Sequence, residues 1–301
     1  MENDPSTLFD RLASEEALAQ GWAKVFANAG GPGGDRVTVH DFAARLSSEL
    51  ARLVSDLRHD HYAPGPLRRV SIPKKSGGTR PLAIPCVRDR VAQSALHILL
   101  EPIFEPMFSD ASFGYRPGRG VQDAIARVRE LHREGYRHVI DADITRYFES
   151  VPHALLMERL RAVAPDPRIL RLIASWLDQE PGARGLAQGS PISPILSNFY
   201  LDQLDDALVG KGVRIVRFAD DFVILCRSAD IASGMVGRAR KLLSDLGLEL
   251  NPEKTRLVDF DRGFRFLGRM FLNGFVIGAD DAAEYVAPDA GGGAARLAPP
   301  A

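Results

Sequence analysis

Ten residues constrain the fold of this chain more than any others: Arg217-Phe218-Ala219-Asp220-Asp221-Phe222-Val223-Ile224-Leu225-Cys226. Val213 to Phe218 reads as one short strand and Phe222 to Cys226 as a second, which puts Ala219, Asp220 and Asp221 at a hairpin tip. Aspartate is an ordinary turn residue, so this stretch alone is equally a polar hairpin. Yet adjacent carboxylates repel, and each resists desolvation. A divalent cation removes that cost, and hard oxygen ligands on a rigid tip suit Mg²⁺. A second acid-ended strand shifts the balance towards metal. It lies in His138-Val139-Ile140-Asp141-Ala142-Asp143-Ile144-Thr145-Arg146-Tyr147-Phe148. Two such strand ends could hold two ions about 3.5–4 Å apart for in-line phosphoryl transfer.

The 301 residues allow one large domain or two smaller ones, and an apolar fraction of 45% supports a sizeable core. The net charge of −1 does not announce a nucleic-acid binder, so any such surface must come from clustering. Cys86 and Cys226 stand in apolar runs and read as buried thiols, which fits a reducing cytoplasm. Met1-Glu2-Asn3-Asp4-Pro5 is polar and acidic, unlike a secretory signal. No apolar run reaches the ~18 residues of a membrane span.

Residues 7 to 27 and 39 to 58 carry apolar side chains at helical spacing, separated by the glycine-rich run 27–35. That run lacks a following Gly-Lys-Ser/Thr, so it reads as a flexible loop and not as a phosphate cradle. From Arg68 to Arg90 there are seven basic residues against one acid, Asp89. Residues 69–85 form a hairpin pattern with Ser76-Gly77-Gly78 at its tip, and Lys75 and Arg80 flank that tip, where they suit a triphosphate or a nucleic-acid backbone. Arg88 to Phe108 is an apolar-faced helix, Ser112 to Gly120 a turn with exposed arginines, and Val121 to Glu134 a helix. Helices follow at 154–163 and 167–178, with Trp176 as packing. Gly185-Leu186-Ala187-Gln188-Gly189-Ser190-Pro191 is a tight loop opening a helix near Ser193, whose free N–H groups could face phosphate or a template, with Gln188 at the mouth. Ala232 to Leu246 is helical with Gly247 as C-cap. Leu248 to Phe260 holds two strand-like pieces, Gly263 to Gly268 a short apolar hairpin, and the tail from Ala287 has a disordered composition.

These blocks, in this order, resemble reverse transcriptases of the group II intron and related bacterial lineages. The likeness runs from about Gly31 to Gly268. It rests on Ile72-Pro73-Lys74-Lys75 through Arg80-Pro81-Leu82-Ala83-Ile84-Pro85, Asp89-Arg90-Val91-Ala92-Gln93, and Phe113-Gly114-Tyr115-Arg116-Pro117-Gly118. It continues through Asp143-Ile144 to Phe148 and His153, Gln188-Gly189-Ser190-Pro191-Ile192-Ser193-Pro194, Phe218-Ala219-Asp220-Asp221, Leu250-Asn251-Pro252-Glu253-Lys254-Thr255 and Phe266-Leu267-Gly268.

The resemblance implies an α+β right-hand polymerase: fingers, and a palm whose antiparallel sheet is backed by helices and carries the acids at its strand ends. The expected division is a helical extension over 1–60, fingers with part of the palm over 61–135, palm and primer grip over 136–275, and a tail over 276–301. The implied metal ligands are Asp143, Asp220 and Asp221, assisted by the Ile144 carbonyl, holding two Mg²⁺ ions for which Mn²⁺ can substitute. Asp141 does not match the family pattern. Lys254 matches a lysine assigned to protonating the pyrophosphate leaving group. Phe148 falls where the family places a ring that excludes a 2′-hydroxyl, Lys75 and Arg80 where it grips the triphosphate, and Gln188 near the incoming nucleotide. Phe266, Leu267 and Gly268 match the primer grip. The implied activity is RNA-directed DNA synthesis from deoxynucleoside triphosphates on an RNA template with a DNA or RNA primer.

Two departures stand out. Phe218 replaces the usual tyrosine before Ala-Asp-Asp, and only 33 residues follow Gly268, so a thumb is expected to be absent or minimal. Phe264 to Phe271 is similar to the junction in CRISPR-associated reverse transcriptases, which implies the adaptation integrase as a partner and spacer acquisition from RNA. The alternatives are a group II intron or antiphage reverse transcriptase, and a catalytically idle RNA-binding scaffold of the same fold.

Overall fold

The computed structural model describes residues 7–73, 78–164 and 166–278, and the backbone at 284–285. Its elements are α1 (Leu8–Leu12), α2 (Glu15–Ala27), α3 (Val39–Ala43), α4 (Leu46–Arg58), β1 (Arg68–Pro73), β2 (Thr79–Ile84) and α5 (Val87–Phe104). There follow α6 (Val121–Arg133), β3 (His138–Asp143), α7 (Tyr147–Ser150), α8 (His153–Val163), α9 (Pro167–Leu177) and α10 (Ser193–Leu208). The last are β4 (Val213–Phe218), β5 (Asp221–Cys226), α11 (Ala229–Asp245), β6 (Arg256–Asp259), β7 (Phe264–Phe266), β8 (Arg269–Leu272), β9 (Phe275–Ile277) and β10 (Glu284–Tyr285). The chain divides into two compact units, Met1–Met107 with Phe148–Tyr200 and Phe108–Tyr147 with Leu201–Ala301.

In the first unit the helical stretch 7–27 is two helices, not one. Ser14 breaks it: its hydroxyl donates to the Arg11 carbonyl at 2.7 Å and accepts from the Ala17 N–H at 3.2 Å, ending α1 and capping α2. The stretch 39–58 is likewise split, at Ala44 and Arg45. The glycine run is not the loose loop its composition suggests. A Cβ on Gly33 would lie 2.5 Å from the Cys86 backbone and one on Gly34 2.4 Å from the Pro66 carbonyl oxygen, so the glycines let two backbones touch. Two residues of the basic cluster are also structural: Arg88 pairs with Asp56 at 2.5 Å, and buried Arg90 donates to the Gly31 carbonyl at 2.9 Å. β1 and β2 pair antiparallel from Arg68↔Ile84 to Pro73↔Thr79, while Lys75, Ser76 and Gly77 lie outside the described residues. α5 is buried along most of its length through Val87, Val91, Leu96, Leu100 and Phe104. Trp176 packs as expected, and its Nε1–H donates to the Tyr62 hydroxyl at 2.9 Å.

The second unit is built on a four-stranded antiparallel sheet of order β4-β5-β3-β6. Alternation assigns its faces. Ile140, Ala142, Phe222 and Ile224 fill one face, which α11 crosses at β3 and β5. Val139, Val216, Val223 and Leu225 fill the other, against α6 and the aromatic side chains Phe260, Phe264, Phe266 and Phe271. Those rings belong to or flank a second sheet of order β10-β9-β8-β7, and Phe264 stacks on Phe271 at 5.0 Å. Leu248 to Leu250 is a strand only in part, with one bridge from Leu250 to Ile144. Both cysteines are buried free thiols. Among the described residues no helix is long and apolar enough to cross a membrane. The class is α+β, a central antiparallel sheet flanked by helices.

Candidate active site

Strand register brings the acids together. β3 and β5 pair with Asp143 directly opposite Asp221 and Asp141 opposite Val223. Residues opposed in an antiparallel pair share a face, so Asp141, Asp143 and Asp221 line the end of the face that Val139, Val223 and Leu225 fill further in. The β4–β5 turn closes at Phe218↔Asp221, leaving Ala219 and Asp220 as its two loop residues. Asp220 therefore occupies the tip, while Asp221 is the first residue of β5. Ala219 has φ of +59°, the sign that a tight hairpin turn requires at its first position.

This crowding has an electrostatic signature. Burial, then the charges of Asp141, Asp220 and Asp143, push the Asp221 carboxyl up to about 7, against a hydrogen bond from the Leu267 backbone. Register sets Asp143 directly opposite Asp221 and Asp141 two residues along the same face, so like charges crowd it. Burial also raises Asp141, opposed by Arg256 and reinforced by Asp143.

The edge of β3 away from β5 supplies a lysine. β6 pairs with it as far as Asp141↔Arg256, and beyond that the Asn251 N–H donates to the Asp143 carbonyl at 2.8 Å. The intervening Asn251-Pro252-Glu253-Lys254-Thr255 turn is closed by Thr255 N–H on the Asn251 carbonyl at 2.9 Å. It delivers Lys254 Nζ to 3.2 Å and Asn251 Nδ2 to 3.3 Å from Asp143 Oδ2. Ile144, next along, is buried and bridged to Leu250. Leu267 and Gly268, with φ of 50° and 76°, form the two-residue turn between β7 and β8, and Phe266 anchors that turn in the core. Among the described residues no three His, Cys, Asp or Glu side chains stand close enough, as placed, to hold a metal ion. The carboxylates themselves, hard oxygen donors that repel one another, are of the kind that a hard divalent cation suits.

Phe148, Arg80 and Gln188 belong to the first unit. The Gln188 carbonyl accepts from the Ala83 N–H at 2.8 Å, which lays its loop along β2. Phe148 is tied to the same loop, its carbonyl accepting from the Leu186 N–H at 2.6 Å. A cavity of about 320 Å³ is lined there by Arg69, Leu82, Ala83, Glu149, Arg184 and Gln188. Arg80 is exposed on β2, and Lys75 lies outside the described residues.

One expectation about arginines fails. Arg116 is buried, not exposed: Nη1 donates to the Ser109 and Ser112 carbonyls at 2.6 and 2.9 Å, and the guanidinium lies over Phe108. Arg217 and Asp205, a fully buried ion pair beside the acidic turn, lie outside the expected site residues. The pair's one sequence signal was an arginine inside an apolar strand, Val213-Arg214-Ile215-Val216-Arg217-Phe218.

Comparison with known proteins decides the family. The reverse transcriptase (RNA-dependent DNA polymerase) family matches residues 72–271. This chain is a reverse transcriptase family member. All the candidate residues, from Lys75 to Gly268, fall inside the matched region. The chain is 32% identical to protein YkfC of Escherichia coli strain K12, over 89% of this chain and 84% of that protein. It is 33% identical to the group II intron-encoded protein LtrA of Lactococcus lactis subsp. cremoris, over 55% of this chain and 29% of LtrA. Among solved structures, a partial Cas6-RT-Cas1–Cas2 complex is 29% identical over 79% of this chain and 43% of that one, with a TM-score of 0.49. The chain thus spans most of YkfC and less than a third of LtrA.

Proposed function

We propose that this reverse transcriptase is an RNA-directed DNA polymerase that adds deoxynucleotides to a primer 3′ end on an RNA template. The observation that carries the reading is the register of β3 and β5, which opposes Asp143 to Asp221 with Asp220 at the adjoining tip and Lys254 on Asp143. A protein that only bound RNA would have no physical reason to hold repelling carboxylates together.

Asp143, Asp220 and Asp221, with the Ile144 carbonyl, would hold Mg²⁺, or Mn²⁺ in its place. Magnesium at these carboxylates supplies activation of the primer 3′-hydroxyl and charge neutralisation at the leaving pyrophosphate. The chain's own residues do the positioning. Lys75 and Arg80 grip the triphosphate, Gln188 orients the incoming nucleotide, and the Phe148 ring excludes a 2′-hydroxyl. The Phe266-Leu267-Gly268 turn holds the primer end. Lys254 gives its proton to the departing pyrophosphate, a role that fits a side chain 66% exposed beside the acids.

The test is primer extension on poly(rA)/oligo(dT) with dTTP and Mg²⁺, beside Asp220→Ala/Asp221→Ala. Extension by the native chain and none by the variant is the expected result. Extension by both would remove the metal site, and extension by neither, under Mg²⁺ and Mn²⁺ alike, would favour the idle scaffold.

A further inference from the structure

The acids do not hold themselves in place, and the best-built feature of the second unit lies against their turn. Arg217 is fully buried in β4, on the face opposite Val216 and Phe218, and Asp205 on α10 is equally buried. Nε of Arg217 donates to Oδ1 and Oδ2 of Asp205 at 2.8 and 3.0 Å, and Nη2 donates to Oδ2 at 2.5 Å. A buried ion pair of this kind is weak support for stability, since apolar residues of similar volume often serve as well. The remaining arm of the guanidinium indicates what else it does. Nη1 donates to the Ala219 carbonyl at 2.9 Å.

Ala219 is the residue of the turn that is least at ease. Its φ of +59° is disfavoured for any side chain with a Cβ. Asp220 is the next residue and Asp221 the one after, so a relaxation of Ala219 would re-aim both carboxylates. Three contacts oppose it. The Arg217 hydrogen bond fixes the Ala219 carbonyl. Gly114 lies against the backbone so closely that a Cβ there would stand 2.4 Å from the Ala219 nitrogen. The Arg217 backbone is bracketed by the loop that carries Gly114, through Arg217 N–H on the Ala111 carbonyl and Phe113 N–H on the Arg217 carbonyl, both 2.8 Å. The loop is anchored in turn by the Ser109 N–H on Asp202 of α10 at 3.0 Å. Only a planar, forked cation can hold a carboxylate with two nitrogens and a carbonyl with the third; a lysine is a point donor.

We propose that Arg217, locked by Asp205, is a positioning residue that holds the strained Ala219 turn and thereby aims Asp220 and Asp221. This rests on the metal-dependent reading above, so its test includes an arm that does not need polymerisation. Two variants are compared with the native chain: Arg217→Lys, which keeps the charge, and Arg217→Met/Asp205→Leu, which removes the buried pair without orphaning either partner. Thermal melting, amide hydrogen exchange at Ala219 to Asp221, Mn²⁺ binding followed by its paramagnetic resonance signal, and primer extension are measured on each. The expected result is exchange at least tenfold faster at the turn and Mn²⁺ binding at least tenfold weaker. The kcat for extension falls at least tenfold with the KM for dTTP within twofold, while the double variant melts within a few degrees of the native chain. Native exchange and native Mn²⁺ affinity in a folded double variant would overturn the proposal and leave the pair a packing element. A native chain that binds Mn²⁺ but extends no primer would count against the polymerase reading alone, and turn exchange would still decide the clamp.

Discussion

Asp89 offers a test of the first unit's energetics in which the sign is as informative as the size. It lies in α5 with 1% of its surface exposed, accepting from the Tyr62 hydroxyl at 2.6 Å and from the Gly65 N–H at 2.9 Å. Burial pushes its carboxyl up from 3.8 to about 6, against those two hydrogen bonds and the Arg88 charge. At about 1.4 kcal/mol per tenfold in acidity, this difference amounts to about 3 kcal/mol. Because the folded value is the higher one, the folded chain holds a proton that the unfolded chain has already released between pH 3.8 and about 6. The contribution of Asp89 is therefore fully present below pH 3.8 and is lost as pH rises to about 6. Asp89→Asn removes the titration. The amide accepts at one oxygen, and Tyr62 already accepts from Trp176, so the substitution loses about one hydrogen bond, a cost of roughly 1 kcal/mol that does not titrate. The assay is urea unfolding of both proteins in steps from about pH 4 to 7.5, with the native-minus-variant difference taken at each so that all other groups cancel. Because the series starts just above the unfolded value, that difference should fall by roughly 2–2.5 kcal/mol across the interval and then level off. Parallel curves, or a difference that grows with pH, would refute the assignment of a buried, raised Asp89.

Three further outcomes follow from the site. Phe148→Ala should raise ribonucleotide incorporation at least tenfold relative to deoxynucleotide; an unchanged ratio in single-nucleotide insertion assays would remove the steric role of that ring. Gly114→Ala places a Cβ 2.4 Å from the Ala219 nitrogen, so it should destabilise by about 1–3 kcal/mol in urea unfolding and slow primer extension more than its melting temperature alone would suggest. Lys254→Met breaks an exposed pair with Asp143, so stability should change by less than about 1 kcal/mol. The same change should cost about 10²-fold in kcat, as a general acid would, and retention of the native rate would exclude that role.

Where sequence reading succeeded, the signal was local. Apolar runs on either side of Ala219-Asp220-Asp221 and before Asp143 determine strands, because alternate side chains of those runs must be buried whatever they pack against. The Asn251-to-Thr255 turn follows from residues within the turn itself, whereas the hairpin expected within Gly263 to Gly268 is β7 with the Leu267-Gly268 turn, and its second strand is β8 beyond. Helix breaks were less legible: 7–27 keeps helical spacing across Ser14, and only the hydroxyl's competition for backbone groups splits it. The glycine run between α2 and α3 carried no trace of Cys86 and Pro66, its partners in space, and so read as slack.

The sequence by itself thus determined the strands, the acids at their ends and the order of blocks that marks the family, since each depends on neighbours a few residues apart. Tertiary structure decided which acids face each other, because the register of β3 on β5 is a pairing across nearly eighty residues of chain. It also decided which charges leave water. Arg90 and Arg116 look in sequence like any surface arginine, and Arg217 is marked only by its apolar strand; they are buried because the Gly31 carbonyl, the Ser109 and Ser112 carbonyls, and Asp205 with the Ala219 carbonyl replace the water that each would lose.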